Sequence, residues 1–442
     1  MFLPQIKTAI PGPQSLLYAQ KLALIESSGI TYLSDKFPVF WQKANGINIW
    51  DIDDNCFLDL NSAFGVAGPG HGNASEAVRE QALNLIHGMG DVHPPKVKVD
   101  FMEKLIEILP ANLNKIILSC NGSDACESAL KTMQVYTKKS GIIAFEYGYH
   151  GLGYGALDLT HKPHFRKPFE QRLSGPTFHA PYPSCEEELA KSLKIIKEII
   201  ENNKNILGGI IVEPIQGRGG VIVPPKGFLK ELRNLCDKND LLLILDEIYT
   251  GFGRTGKMFA FEHENIIPDL LCLGKTIGGG LPLSICVGSS EIMSAWGKSN
   301  GEAIHTSTFL GNPLACAAGL HILNELQSKN WPALIDERGQ YFKDKLQTLK
   351  SPFIKEIRGK GLMLGIELVK DLNTNEPFTD LANHFTEECL QRGLIVLTSG
   401  KAGHVISLSP PFMIQKETID FVIEQFQEIF INLNKTVQKF GI

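Results

Sequence analysis

Apolar and polar positions divide this 442-residue chain into three stretches of different rhythm. Over residues 46–60, GINIWDIDDNCFLDL, two alternating runs flank Asp53-Asp54-Asn55 and predict a hairpin. A Gly-rich stretch from Phe64 to Gly72 comes next, then a helix over about 75–87. From about 97 to 330 short apolar runs alternate with helical periods. Strands are predicted at 115–118, 141–145, 207–212, 241–245, 270–273 and 283–287, and helices at 123–137, 186–202 and 227–238. This alternation predicts a mainly parallel sheet covered on both faces. Helices at about 312–326, 332–349, 379–391 and 416–434 follow, with strands at 360–368 and 394–397. The expected fold class is therefore α/β. A large domain spans 71–329, and a smaller α+β domain is built from both termini, residues 1–70 and 330–442.

Composition narrows the function classes. Apolar residues make up 43% of the chain and charged residues 21%, enough for a sizeable core. A net charge of -5 gives no reason to expect nucleic acid or an anionic membrane as a partner. The nine cysteines are odd in number and none has CxxC spacing, which predicts reduced, mostly buried thiols and no structural zinc. The start, MFLPQIKTAIPGPQ, lacks the pattern of a signal peptide, and no apolar run approaches a membrane span. A cytoplasmic protein is expected.

One motif misleads. Gly251-Phe252-Gly253-Arg254-Thr255-Gly256 matches the dinucleotide-binding pattern GxGxxG. That fingerprint needs its first glycine at a strand end, opening directly into a helix. Here Asp246 to Thr250 intervene, and Lys257-Met258-Phe259-Ala260-Phe261 is no helix start. A nicotinamide-dependent oxidoreductase is thus the weaker alternative.

The chemistry concentrates at two strand ends. The run Leu241 to Leu245 reads as a strand buried on both faces, with Asp246 at its carboxyl end. Ligands of open parallel sheets bind outside such ends, and a carboxylate there needs a partner. Alone, Asp246 reads equally well as a turn cap. Downstream, Leu270 to Leu273 runs into Gly274-Lys275-Thr276-Ile277-Gly278-Gly279-Gly280. Lys275 alone would be read as a surface lysine. Desolvated at a strand end, it becomes a nucleophile. A carboxylate and a lysine at neighbouring strand ends suit pyridoxal phosphate, which takes a lysine Schiff base at its aldehyde and an acidic partner at its ring nitrogen. Gly122-Ser123 opens the helix after another strand, an anion site with Ser123 read as its cap.

The run LDEIYTGFGRTGKMFAFEHENIIPDLLCLGKTIGGGLPL, residues 245–283, resembles the signature of the class III, ω-aminotransferase-like family of fold-type I pyridoxal-phosphate enzymes. CNGSDACESALK, YGYHG, VEPIQGRGG, HTSTFLGNPLACAAG, RGKGLMLGIEL and VISLSPPF extend the resemblance along nearly the whole chain. It implies a seven-stranded-type, mainly parallel sheet and an aminotransferase that moves an amino group between an amine or amino acid donor and a carbonyl acceptor. It also implies cofactor contacts. Lys275 would form the Schiff base, Asp246 hold the ring nitrogen, Gly122 and Ser123 the phosphate, and Tyr149 and Ile248 the two ring faces. Tyr249, where many relatives carry Gln, would sit near the phenolic oxygen. Thr308 would reach the phosphate of the other subunit of a homodimer. Glu213 resembles the acidic residue near the substrate.

Recognition of the substrate departs from the family. The run 400–411, GKAGHVISLSPP, lacks the arginine that holds a substrate carboxylate in many relatives. Lys401 is left as a point charge without the arginine fork. A neutral, amino-sugar-like or hydrophobic amine is the other expectation, with Phe64, Trp41 and Tyr149 as pocket walls. No metal is expected: His161 and His164 of HKPH read as loop histidines, and His150 as a supporting residue. Racemases or epimerases, aminomutases and decarboxylating transaminases on the same scaffold remain open, as does a catalytically dead binding protein, against which the intact Asp246 and Lys275 argue.

Overall fold

The apolar runs pair into one seven-stranded sheet. The structure, a computed structural model, describes residues 2–173 and 175–440. In chain order the strands are β1 (Lys115–Ser119), β2 (Gly141–Phe145), β3 (Thr177–Ala180), β4 (Leu207–Val212), β5 (Leu242–Asp246), β6 (Leu270–Leu273) and β7 (Ser284–Gly288). In space the order is β1-β7-β6-β5-β4-β2-β3. Only β7 runs antiparallel to its neighbours, and the other pairings are parallel. β2 and β4 to β7 are buried at every position, as a sheet covered on both faces requires. The helix Gly122–Thr137 covers one face, packing Ala125, Cys126, Ala129 and Met133 onto Ile142, Ile244, Cys272 and Cys286. This sheet belongs to one of two compact units, Ala74–Ile335. The fold is the expected α/β class.

The other unit, Met1–Asn73 with Asp336–Ile442, holds two four-stranded sheets. In the first, the expected hairpin forms between Asn48–Asp51 and Cys56–Asp59, and Trp41–Asn45 adds a third strand. Leu394–Ile395 pairs in parallel with Cys56–Asp59, so both ends of the chain build one sheet. The second sheet is antiparallel, in the order Ile354–Lys360, Met363–Leu368, Val405–Leu408, Leu397–Ser399. The single strand expected at 360–368 is thus the second arm of a hairpin turned at Gly361. Its first arm, IKEIRGK, is an edge strand whose exposed charges hide the pattern.

Several elements escaped the pattern for physical reasons. β3, Thr-Phe-His-Ala, is an edge strand with a single neighbour and only partial burial. The helix Lys96–Ile106 begins KVKV, a strand-like alternation, behind an uncapped Pro95. The helix Pro13–Ile25 carries exposed Leu16, Leu17, Leu24 and Ile25, so no single apolar stripe marks it. Among the described residues no helix is long and apolar enough to cross a membrane.

Within the smaller unit, Ser62, Ala63 and Phe64 are successively left-handed, with φ of 49°, 46° and 63°. Non-glycine residues resist that region, so something must hold them. Asp59, fully buried, supplies the hold. Its Oδ1 accepts from the Asn61 amide at 2.8 Å, and its Oδ2 accepts from the Ala63 amide at 2.8 Å and from His71 Nε2 at 2.8 Å. Ser62 Oγ adds a hydrogen bond to the Ser409 carbonyl at 2.6 Å. Asp59→Ala strands buried donors, and we expect it to destabilise the protein by about 3 kcal/mol, read by denaturant unfolding. Asp59→Asn, which keeps one acceptor oxygen, should lose less.

Candidate active site

Five parallel strands deliver chemistry to the same edge of the sheet. β1 leads to Gly122 and Ser123, β2 to Tyr149 and His150, β4 to Glu213, β5 ends in Asp246, and β6 leads to Lys275. Carboxyl ends of parallel strands are where open α/β sheets bind ligands. β5 and β6 are neighbours, with Asp246 opposite Cys272, three residues before Lys275.

Lys275 opens a short turn, Lys275–Gly278, and carries a left-handed φ of 49°. Its Nζ lies 4.5 Å from the centroid of the Tyr249 ring. Burial depresses its pKa below the usual lysine value, with Asp246 and Glu213 opposing and the charge of Arg218 adding to the effect. The amine is therefore more available as a nucleophile and base than that of a solvated lysine.

Asp246 is only 4% exposed. Its Oδ1 accepts from the Ile248 amide at 3.1 Å, and its Oδ2 from His150 Nδ1 at 2.7 Å and Cys126 Sγ at 3.6 Å. Burial alone would favour neutral His150. The hydrogen bonds to Asp246 and Cys126, with the charge of Asp246, outweigh it and raise its pKa to about 10. Cys126, His150 and Asp246 form the one cluster of metal-donor type among the described residues, their donor atoms all within 4.8 Å of one another. Hydrogen bonding accounts for the contacts of Asp246 with both.

Glu213 is also buried, and its pKa is raised by burial and by Asp246, against the nearby His150. Oε1 accepts from the Tyr149 amide at 2.9 Å and Oε2 from the Gly217 amide at 3.0 Å. Both oxygens thus hold backbone. The guanidinium of Arg218 lies 4.6 Å from the centroid of the Tyr149 ring.

At the end of β1 the helix cap is Asn121, not Ser123: Asn121 Oδ1 accepts from the Asp124 amide at 3.1 Å. Ser123 Oγ accepts from the Gly153 amide at 2.9 Å and keeps its own hydrogen free to donate. First-turn amides of a helix have no intrahelical acceptor, so Gly122 and Ser123 present N–H groups and a hydroxyl to an anion. Gly122 has a second reason to be glycine. A Cβ there would lie 2.9 Å from Ile248, and one on Gly274 would lie 3.2 Å from it, so Ile248 needs both gaps.

These groups fit pyridoxal phosphate: a depressed-pKa amine, a buried carboxylate backed by a cationic imidazole, an anion-binding helix start, and Tyr149 and Ile248 as flat and branched packing surfaces. Thr308 lies exposed in a turn of the same unit. Trp41, Phe64 and Lys401 belong to the other unit and are exposed there. The Gly251–Gly256 segment is a succession of turns followed by the short turn Ala260–Glu264, with no helix start to face a pyrophosphate. Sequence reading underused His150 and Cys126, and passed over Arg218. For Arg218 the available signal was a lone cation among glycines in QGRGG, a few residues past a strand end.

Comparison with known proteins agrees with this chemistry. The class-III aminotransferase profile matches residues 31–430. The acetylornithine aminotransferase of Methanopyrus kandleri is 38% identical over 76% of this chain and 82% of its own. The leucine/methionine racemase of Thermococcus litoralis is 33% identical over 93% of this chain and 94% of its own. The crystal structure of adenosylmethionine-8-amino-7-oxononanoate aminotransferase from Methanocaldococcus jannaschii superposes with a TM-score of 0.88 at 29% identity, covering 94% of this chain and 99% of that one. The chain belongs to the class-III aminotransferases and is a transaminase dependent on pyridoxal phosphate.

Proposed function

We propose that Lys275 is the residue to which the cofactor is attached and the base of the transamination. The observation that carries this reading is the pair of adjacent parallel strand ends, with the depressed-pKa amine of Lys275 on one and the buried Asp246 on the other. Bound pyridoxal phosphate supplies an aldehyde that condenses with amines and a ring that accepts an electron pair. Lys275 Nζ, once free, would take the proton from the carbon bearing the donor nitrogen. Asp246, hydrogen-bonded to His150, would face the ring nitrogen as its acidic partner. Tyr149 and Ile248 would hold the ring and Gly122 and Ser123 the phosphate, while Tyr249 borders the lysine. Glu213 acts by holding the Tyr149 backbone. In the smaller unit, exposed Trp41, Phe64 and Lys401 are assigned to the substrate.

The active form we infer is a homodimer. Thr308 is exposed between Ile304, 81% exposed, and Phe309, 60% exposed. An apolar patch of this kind suits an interface, with Thr308 given to the partner's phosphate site. Free cysteines throughout the described residues suit a reducing, cytoplasmic setting. A racemase reading draws support from the Thermococcus litoralis relative. Donor alone separates the two: a transaminase accumulates pyridoxamine phosphate, whereas a racemase exchanges the α-hydrogen and keeps its cofactor unchanged.

Borohydride reduction and peptide mapping should place the cofactor on Lys275, and Lys275→Ala should lose both the label and at least about 10³-fold in rate. A label on any other lysine would sink the assignment. For His150, whose pKa rises from 6.5 to about 10, folding favours the protonated ring. That stabilisation is complete below the ordinary value and disappears as pH climbs through about 10. The melting-temperature gap between the cofactor-stripped protein and its His150→Gln variant should therefore be widest near pH 6 and narrow toward alkaline pH.

A further inference from the structure

We infer that Arg218 is the residue that recognises a substrate carboxylate, so that the enzyme selects amino donors or carbonyl acceptors bearing an acid group. The inference rests on the aminotransferase reading of the same site. It deepens that reading by giving the missing carboxylate receptor a place in the turn that follows β4.

Arg218 stands at the tip of a closed turn. Gln216 and Ile222 exchange backbone hydrogen bonds at 3.1 and 3.0 Å, and the Gly220 and Val221 amides both donate to the Gly217 carbonyl. Glu213 Oε2 holds the Gly217 amide, and Gln216 Nε2 donates to the Glu146 carbonyl at 2.8 Å, tying the turn to the segment after β2. A cation mounted on such a turn loses little further backbone freedom on binding.

The side chain is positioned yet has no acidic partner among the described residues. It is exposed, and its guanidinium carbon lies 4.6 Å from the centroid of Tyr149 and 5.5 Å from that of Phe165. An exposed guanidinium held beside two rings can still receive a carboxylate on two parallel hydrogen bonds. Burial lowers the pKa of Lys275 and Lys162, and the charge of Arg218 adds to that; burial raises the pKa of Tyr149, and the same charge opposes it. Arg218 thus bears on two lysines and has no carboxylate set against it among the described residues, an arrangement that favours an anion arriving from solution. The cofactor phosphate is provided for elsewhere, at Gly122 and Ser123. The segment 400–411 offers no arginine to do the work instead.

The test compares each acid donor with its uncharged amide: 4-aminobutanoate with 4-aminobutanamide, and L-alanine with L-alaninamide. Cofactor absorbance follows the half-reaction of the holoenzyme. Arg218→Gln should lower the acid-to-amide ratio of kcat/KM on the order of 10- to 100-fold, mainly through KM. Arg218→Lys, which keeps the charge and loses the fork, should fall between. Butanoate, an unreactive acid, should bind the native holoenzyme and lose affinity by a similar factor in Arg218→Gln when titrated by calorimetry. Equal losses for acid and amide would reduce Arg218 to a clamp on Tyr149 and overturn the inference. So would unchanged butanoate affinity, or a loss of cofactor affinity as large as the loss for butanoate. Should the native protein form no pyridoxamine phosphate from any donor, it is the transaminase reading that fails, and the butanoate titration still decides the role of Arg218.

Discussion

The burial of one carboxylate organises the cofactor edge of the sheet. Asp246 closes a strand that is buried at every position, and a lone buried charge would protonate or displace its surroundings. His150 meets it at 2.7 Å as a buried cation, so the segment after β2 must pass directly over the end of β5. Other contacts follow from that passage. Thr160 Oγ1 accepts from the His150 amide at 2.9 Å, Glu213 accepts from the Tyr149 amide, and Ser123 accepts from the Gly153 amide. The segment that brings the histidine therefore also sets the Tyr149 ring and touches the helix start read as the phosphate site. One electrostatic requirement couples groups delivered by β1, β2, β4 and β5.

Legibility in the sequence followed burial. The central strands β4, β5 and β6 are continuous apolar runs and were placed within a residue, because both of their faces are covered. Asp246 and Lys275 were readable because each ends such a run. β3 and the Ile354–Lys360 arm were not, since an edge strand keeps polar side chains and loses the alternation. The His150–Asp246 pair was hidden for another reason. The two residues are 96 positions apart, and nothing local to His150 announces a buried partner. Arg218 was hidden because an arginine in a glycine-rich turn looks like any solvated charge until the aromatic rings beneath it are known.

Backbone strain adds an independent mark on the same edge. In the larger unit, Lys138, Asp240, Asn265 and Asn330 are left-handed at ordinary turn and helix-end positions, three of them the short polar residues that tolerate it. Among the described residues there, the remaining non-glycine ones with positive φ are Tyr147, Val221, Phe252 and Lys275, at 62°, 52°, 55° and 49°. Each lies in a segment leaving the carboxyl end of a parallel strand: β2, β4, β5 and β6 in turn. Two aromatics, a β-branched residue and a lysine are poor choices for that conformation, at roughly 1 to 3 kcal/mol each. Strain of this size persists only where surrounding contacts over-determine the backbone, as they do in the Gln216–Ile222 turn that carries both Val221 and Arg218. Random turn geometry would scatter such residues over both ends of the sheet. Their grouping at one end marks the edge that also carries the buried charges.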